Sequence, residues 1–156
     1  MKYRQLTKEQ LESLHKEFAQ FLASQEIDVN EWTKIKEENP ALVQEELNLF
    51  SDMVWEDVLN RVEYIDHFSA QTINLFQCNK DSISRIVIQT TKEIDFLSKE
   101  GYEWLLQNSN DDSIELFTGK KAYEKERNQE IFSLIEQGGN ISKGELFNYF
   151  QRLINE

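Results

Sequence analysis

The stretch that decides the fold class lies mid-chain, where Thr72-Ile-Asn-Leu-Phe-Gln-Cys78 precedes Ser84-Arg-Ile-Val-Ile-Gln-Thr90. Both segments are short and rich in β-branched and apolar residues, which is typical of strands. The residues between them include Asn79-Lys-Asp-Ser82, which has the chemistry of a turn. We therefore predict a central β-hairpin or small antiparallel sheet. It needs cover from other elements, because a lone two-stranded hairpin is marginally stable in water.

Helices are predicted on the N-terminal side of this hairpin. Thr7 and Gln10 form a capping box that begins a helix over residues 8–24, and a shorter helix follows before residue 40. Pro40 then occupies the first position of a long helix that continues to about His67. The apolar side chains of this long helix recur at helical spacing and form one stripe: Val43, Leu47, Phe50, Val54, Val58, Val62 and Ile65.

The C-terminal part of the chain is also mostly helical. Ser98 caps a short helix, and Ile114–Thr118 is either a third strand or one helical turn. An αα-hairpin follows, with a stop at Gly138-Gly139 and a capping box formed by Ser142 and Glu145. The prediction is a predominantly helical α+β fold in a single domain, residues 1–156.

The composition narrows the class of function. The net charge of −12 disfavours direct binding to nucleic acid and favours a basic or amphipathic protein partner. The alternative is that the charge only keeps the protein soluble. The polar start of the sequence, Met1-Lys-Tyr-Arg-Gln5, leads us to expect no signal peptide, and no apolar run is long enough to span a membrane. The only cysteine, Cys78, allows no internal disulfide, so a cytoplasmic location is expected.

The acidity is concentrated in one region. Residues 40–68 carry seven acidic side chains and one basic side chain, Arg61. On the predicted long helix the carboxylates lie opposite the apolar stripe, with three apolar residues among them. Such a surface suits a basic, amphipathic partner. The alternatives are that this face is exposed only to solvent or that other helices of the same chain cover it. The predicted partner-binding residues are Glu45, Leu49, Asp52, Trp55, Glu56, Leu59 and Glu63.

A catalytic reading rests on the same helix. Glu56, Glu63 and His67 would share one face, as general acid–base chemistry requires. A metal at Glu63 and His67 lacks the further ligands of a closed site, and Cys78 is more simply a small buried residue than a nucleophile. We therefore predict no cofactor, no metal site and no catalytic residue.

Several segments resemble a family of uncharacterised proteins from Bacteroidota. They include Met1-Lys-Tyr-Arg-Gln-Leu-Thr-Lys-Glu-Gln-Leu-Glu12, Phe50-Ser-Asp-Met-Val-Trp-Glu56, His67-Phe68-Ser69, Lys99-Glu-Gly-Tyr102 and Lys143-Gly-Glu-Leu-Phe147. The resemblance implies a bacterial, cytoplasmic, single-domain protein and assigns no catalytic residues. We predict a non-enzymatic interaction, adaptor or regulatory protein. A small enzyme and an acidic inhibitor that mimics nucleic acid are the alternatives.

Overall fold

A computed structural model describes residues 1–156, and about half of them lie in seven helices. The remaining regular structure is a five-stranded antiparallel sheet. The prediction of an α+β fold is therefore confirmed. The chain divides into two compact units, residues 1–60 and residues 61–156, which are described separately. That residues 1–156 act as a single domain stays a prediction.

The first unit is helical. Its elements are α1 (Lys8–Ser13), α2 (His15–Ser24), α3 (Val29–Glu38) and α4 (Pro40–Arg61). The capping box is confirmed: Thr7 Oγ1 accepts from the Gln10 N–H, and the Gln10 side chain accepts from the Thr7 N–H. An unbroken helix over residues 8–24 is wrong, because Leu14 leaves the helical conformation. Next to Leu14, the Ser13 hydroxyl donates a hydrogen bond to the Gln10 carbonyl oxygen in the preceding turn.

Aromatic side chains hold this unit together. Phe50 of α4 is fully buried, and its ring centroid lies 5.0 Å from that of Phe18 and 5.5 Å from that of Phe21. Trp32 of α3 meets Phe18 edge-on at 5.4 Å. Such pairs add to the free energy gained by burial, so the three helices α2, α3 and α4 share one core.

The long helix is shorter than predicted. It ends at Arg61, and Tyr64–Phe68 forms a strand instead. This strand pairs over its whole length with Thr72–Cys78, so that Ile65 lies opposite Phe76. Because strand pairing satisfies the backbone groups and buries Ile65 completely, it overrides the helical spacing of Val62 and Ile65.

The second unit is built on the sheet. Its strands are β1 (Tyr64–Phe68), β2 (Thr72–Cys78), β3 (Ser82–Thr90), β4 (Ile114–Ala122) and β5 (Asn140–Ser142), in the order β4-β3-β2-β1-β5. The predicted hairpin is confirmed, with its second strand starting at Ser82. The segment Ile114–Thr118, for which the sequence left strand or helical turn open, is part of strand β4 at one edge of the sheet.

Helices α5 (Lys99–Gln107), α6 (Arg127–Glu136) and α7 (Glu145–Asn155) complete the second unit. The hydrophobic core includes residues of β2, β3, α5 and α7: Ile73, Leu75, Ile86, Ile88, Leu105, Leu146, Phe147 and Phe150. None of the chain's seven helices combines the length and the apolar character needed to cross a bilayer.

The start of α7 differs from the prediction. Its N-cap is Gly144 with φ of 81°, and no side chain caps the helix. The hydroxyl of Ser142 instead donates to Asp66 and accepts from the Gly144 N–H. A Cβ at Gly144 would lie 2.5 Å from the Tyr64 ring, so this position favours glycine for both its backbone angle and its space.

Candidate functional site

Helix α4 carries the charged surface that the sequence indicated, but with fewer charges. Its acidic residues are Glu45, Glu46, Asp52, Glu56 and Asp57, against one basic residue, Arg61. Glu63 and Asp66 lie beyond its end. The net charge of the helix is therefore −4, and Glu46 is buried rather than presented to solvent.

The first residues of the chain bind two of these carboxylates. The backbone N–H groups of Lys2 and Tyr3 donate to Asp52 at 2.7 and 2.9 Å. The Tyr3 hydroxyl donates to Glu56 at 2.5 Å, and Lys2 Nζ lies 3.4 Å from the same carboxylate. Burial, reinforced by the hydrogen bond to Glu56, raises the pKa of the Tyr3 phenol to about 12. Part of the acidity of α4 thus serves the fold itself.

The same extended segment, residues 1–6, continues along α4. The Leu6 N–H donates to Ser51 Oγ at 3.0 Å, and both residues are buried. The Gln5 amide donates to Gln44 and to Asn48, each at 3.0 Å. The segment is therefore bound to the helix by hydrogen bonds at several points along its length.

Two of the predicted partner-binding residues are not on the surface. Trp55 is 8% exposed and Leu59 is fully buried. The Arg4 guanidinium lies 4.8 Å from the centroid of the Trp55 ring, a cation–π contact. Trp55 lies one turn beyond Ser51, on the helix face that the N-terminal segment contacts. The prediction that Trp55 and Leu59 are exposed anchors is therefore wrong.

A smaller exposed surface remains on α4. Leu49 is 51% exposed and Met53 is 49% exposed, one helical turn apart. Glu45 lies one turn before Leu49 and is exposed, while Asp52 and Glu56 are half-buried beside them. We call these five residues the α4 surface. Met53 is not among the predicted partner-binding residues, although its position four residues after Leu49 puts it on the same face.

The single helix face on which the alternative, catalytic hypothesis depends does not form, because α4 ends at Arg61. Glu63 precedes β1 and His67 lies within it, so neither is on the helix with Glu56. In an extended chain, which rises ~3.3 Å per residue, Glu63 and His67 are about 13 Å apart. His67 Nε2 lies 3.2 Å from the Gln137 carbonyl oxygen. The prediction of one helix face carrying Glu56, Glu63 and His67 is therefore wrong.

Cys78 lies at the end of β2 and is buried. Burial raises the pKa of its thiol to about 11, and the positive charge of Arg127 only partly opposes this effect. At neutral pH the thiol is therefore protonated and weakly nucleophilic. No group of three or more His, Cys, Asp and Glu side chains is arranged to hold a metal ion.

Comparison with known proteins gives one match. The chain matches a family model described as a family of unknown function (DUF6495) over residues 1–155. The chain belongs to this family. The match spans both units, so the α4 surface and the sheet both lie within the family's own boundaries. No curated protein and no solved structure matches the chain.

The second unit contains an open sheet edge that no sequence pattern indicated. Strand β4 is an edge strand, and most of its side chains are exposed. Phe117, next to its central residue, is 48% exposed. A long exposed edge strand offers backbone groups for pairing with another chain, a feature that neither charge nor hydrophobic spacing reveals.

Proposed function

We propose that this member of the DUF6495 family is a non-enzymatic interaction or adaptor protein of the bacterial cytoplasm, with the Bacteroidota origin that the sequence resemblance implies. Its partner is a basic, amphipathic segment of another protein, bound at the α4 surface. One observation carries the proposal: Leu49 and Met53 are half exposed, one turn apart, next to carboxylates. Apolar residues within an acidic rim suit a partner that combines cations with apolar side chains.

Each group of the α4 surface has a distinct role in the proposal. Leu49 and Met53 would contact the apolar side of the partner, and a flexible methionine adapts to varied shapes. Glu45, which is exposed, would meet a lysine or arginine of the partner. Asp52 and Glu56 already accept hydrogen bonds from the N-terminal segment, so they contribute mainly to the local negative potential. A surface this small predicts weak, transient binding.

A titration with synthetic peptides tests the proposal. The probe is a labelled helix of about 18 residues with leucine on one face and lysine on the other, and the control peptide has glutamate in place of lysine. We expect fluorescence anisotropy to give a Kd of about 10–100 µM for the basic peptide and no binding of the acidic one. Equal binding of both peptides, or of neither, would contradict the proposal.

Variants locate the binding surface. The double variant Leu49→Ser/Met53→Ser should bind the basic peptide at least about tenfold more weakly, because two apolar contacts are lost. Glu45→Gln should weaken it about threefold, as expected for one exposed charge pair. The matched control is Val29→Ser, which removes an apolar side chain that is 78% exposed on α3 and should leave binding unchanged. An unchanged Kd in the double variant would place binding elsewhere.

The two alternative functions have less support. An enzyme was motivated by Glu56, Glu63 and His67 on one helix face, a face that does not form. A mimic of nucleic acid needs carboxylates spaced along an open surface. Glu46 is buried and Asp52 is held by the N-terminal backbone, which interrupts such a series on α4.

A further inference from the structure

The edge strand β4 has one side without backbone partners. Its hydrogen bonds to β3 alternate, and the bond from the Thr91 N–H to the Ser113 carbonyl sets their phase. Residues 115, 117, 119 and 121 thus bond to β3, whereas the N–H and C=O groups of Leu116, Thr118 and Lys120 point away from the sheet. No backbone or side-chain hydrogen bond occupies these outward groups.

We propose that a second copy of this chain pairs with β4 in antiparallel fashion, with a two-fold axis at Thr118, and joins the two sheets into one. All nine residues of the strand, Ile114–Ala122, then have a partner. Thr118 of each copy exchanges both of its backbone hydrogen bonds with Thr118 of the other. Leu116 and Lys120 supply the next backbone bonds on either side.

Charge complementarity within β4 favours this occupant and this register. Glu115 of one copy lies opposite Lys121 of the second copy, and the symmetry creates this ion pair twice. Placing the axis at Lys120 would put two Lys120 side chains opposite each other. Placing it one residue to either side of Thr118 would leave Glu115 opposite an uncharged residue. Within its own chain, Lys121 makes only an exposed contact with Glu124 at 4.0 Å.

Phe117 and Gly119 support the same register. They share one face of the sheet, and Phe117 of one copy lies opposite Gly119 of the second copy. A Cβ built at Gly119 would meet no atom within 4 Å, so the chain's own packing does not require glycine there. The space above Gly119 can receive the exposed Phe117 ring, which covers the glycine that otherwise weakens a strand.

Sedimentation equilibrium tests the pairing. At about 0.15 M salt the Debye length of ~8 Å screens much of the repulsion between two copies of charge −12. We expect the average mass to rise from one chain toward two as the concentration increases from about 1 µM to about 1 mM, the range of a small interface. A chain that stays monomeric throughout this range would overturn the proposal, and its β4 would then be open to other proteins only.

Charge reversal tests the register. Glu115→Lys and Lys121→Glu should each weaken the dimer about tenfold, because each places like charges opposite one another twice. The double variant restores both ion pairs with reversed sign and should recover the native Kd to within about threefold. A double variant as weak as the single variants would overturn the register. These side chains are exposed, so folding is preserved.

Thr118→Pro removes the outward N–H at the axis without removing a bond to β3, a position where edge strands tolerate proline. We expect a folded monomer, and a folded variant that still dimerises would overturn the proposal. If this variant fails to fold, the charge-reversal set decides. Leu49→Ser/Met53→Ser should leave the dimer unchanged, so this test and the peptide titration fail independently.

Discussion

Helix α4 and strand β4 present their binding groups in opposite ways. The acidic side chains of α4 are conspicuous in the sequence, yet Asp52 and Glu56 already bind the first residues of the chain. Strand β4 has a mixed and unremarkable sequence, yet one whole side of its backbone is without partners. Net charge therefore overestimates the number of carboxylates on α4 that are available to a partner. Hydrophobic spacing gives no sign of the unpaired backbone groups on β4.

The largest expected effect separates the two kinds of apolar residue on α4. Leu59→Ala should lower the free energy of unfolding by about 2–5 kcal/mol, because it leaves a cavity at a fully buried position. Leu49→Ala, at a position that is 51% exposed, should change it by less than about 0.5 kcal/mol. Urea unfolding measures both. Equal losses in the two variants would show that burial does not distinguish these residues.

A smaller effect is expected where the N-terminal segment meets α4. Tyr3→Phe removes the hydrogen bond to Glu56 and should cost about 1 kcal/mol at pH 7. The pKa of Tyr3 is raised to about 12 in the folded protein, against about 10 when unfolded. Its contribution is therefore fully present below pH 10 and is lost as the pH rises through 12.

Two measurements check this prediction. Urea unfolding at pH 7 gives the loss in Tyr3→Phe, and an absorbance titration of tyrosinate should show one fewer group ionising near pH 12. The control is Tyr149→Phe, which removes a hydroxyl of the second unit that lies 2.8 Å from Ser109 Oγ. If Tyr3→Phe left both the stability and the titration unchanged, the Tyr3 hydroxyl would not be bonded to Glu56.

The smallest expected effect concerns a carboxylate of the sheet. Burial raises the pKa of Asp66, and the hydrogen bond from Ser142 only partly opposes this rise. The ionised form is thus disfavoured in the folded protein, so the contribution of Asp66 to stability is most favourable below the unfolded pKa of about 4 and falls as the pH rises through the folded value.

Asp66→Asn keeps an oxygen for the Ser142 hydroxyl and carries no charge. It should unfold at a slightly higher urea concentration than the native chain at pH 7, and at the same concentration below about pH 4. The control is Asp112→Asn, which replaces an exposed carboxyl. This variant should show no such pH-dependent gain in stability. A variant less stable than the native chain at pH 7 would show that the ionised Asp66 stabilises the sheet.

Local signals predicted much of the fold. Pro40 begins α4, and Ser98 Oγ accepts from the Gly101 N–H at the start of α5. These features depend on residues only a few positions apart. Strand β1 was missed because Val62 and Ile65 continue the helical spacing of α4. Only the pairing of Ile65 with Phe76, a distant contact, makes this segment a strand.

The candidate surface was predicted in part for the same reason. Glu45 and Leu49 follow from the periodicity of α4 alone, and both are exposed. Trp55 has a position on the helix that looks equally exposed in the sequence. Its burial depends on an extended segment about 50 residues earlier, whose contacts have no periodic signature. The alternating free groups of β4 depend on its place at the sheet edge.

Amide hydrogen exchange in dilute solution tests the contrast between the two regions most directly. We expect the Leu6 amide, bonded to buried Ser51, and the Phe117 and Gly119 amides, which face β3, to exchange at least about a hundredfold more slowly than those of Thr118 and Lys120. At concentrations where the dimer forms, the Thr118 and Lys120 amides should become protected. Uniform protection along β4 at high dilution, or fast exchange at Leu6, would contradict the picture of an occupied helix face and an open strand edge.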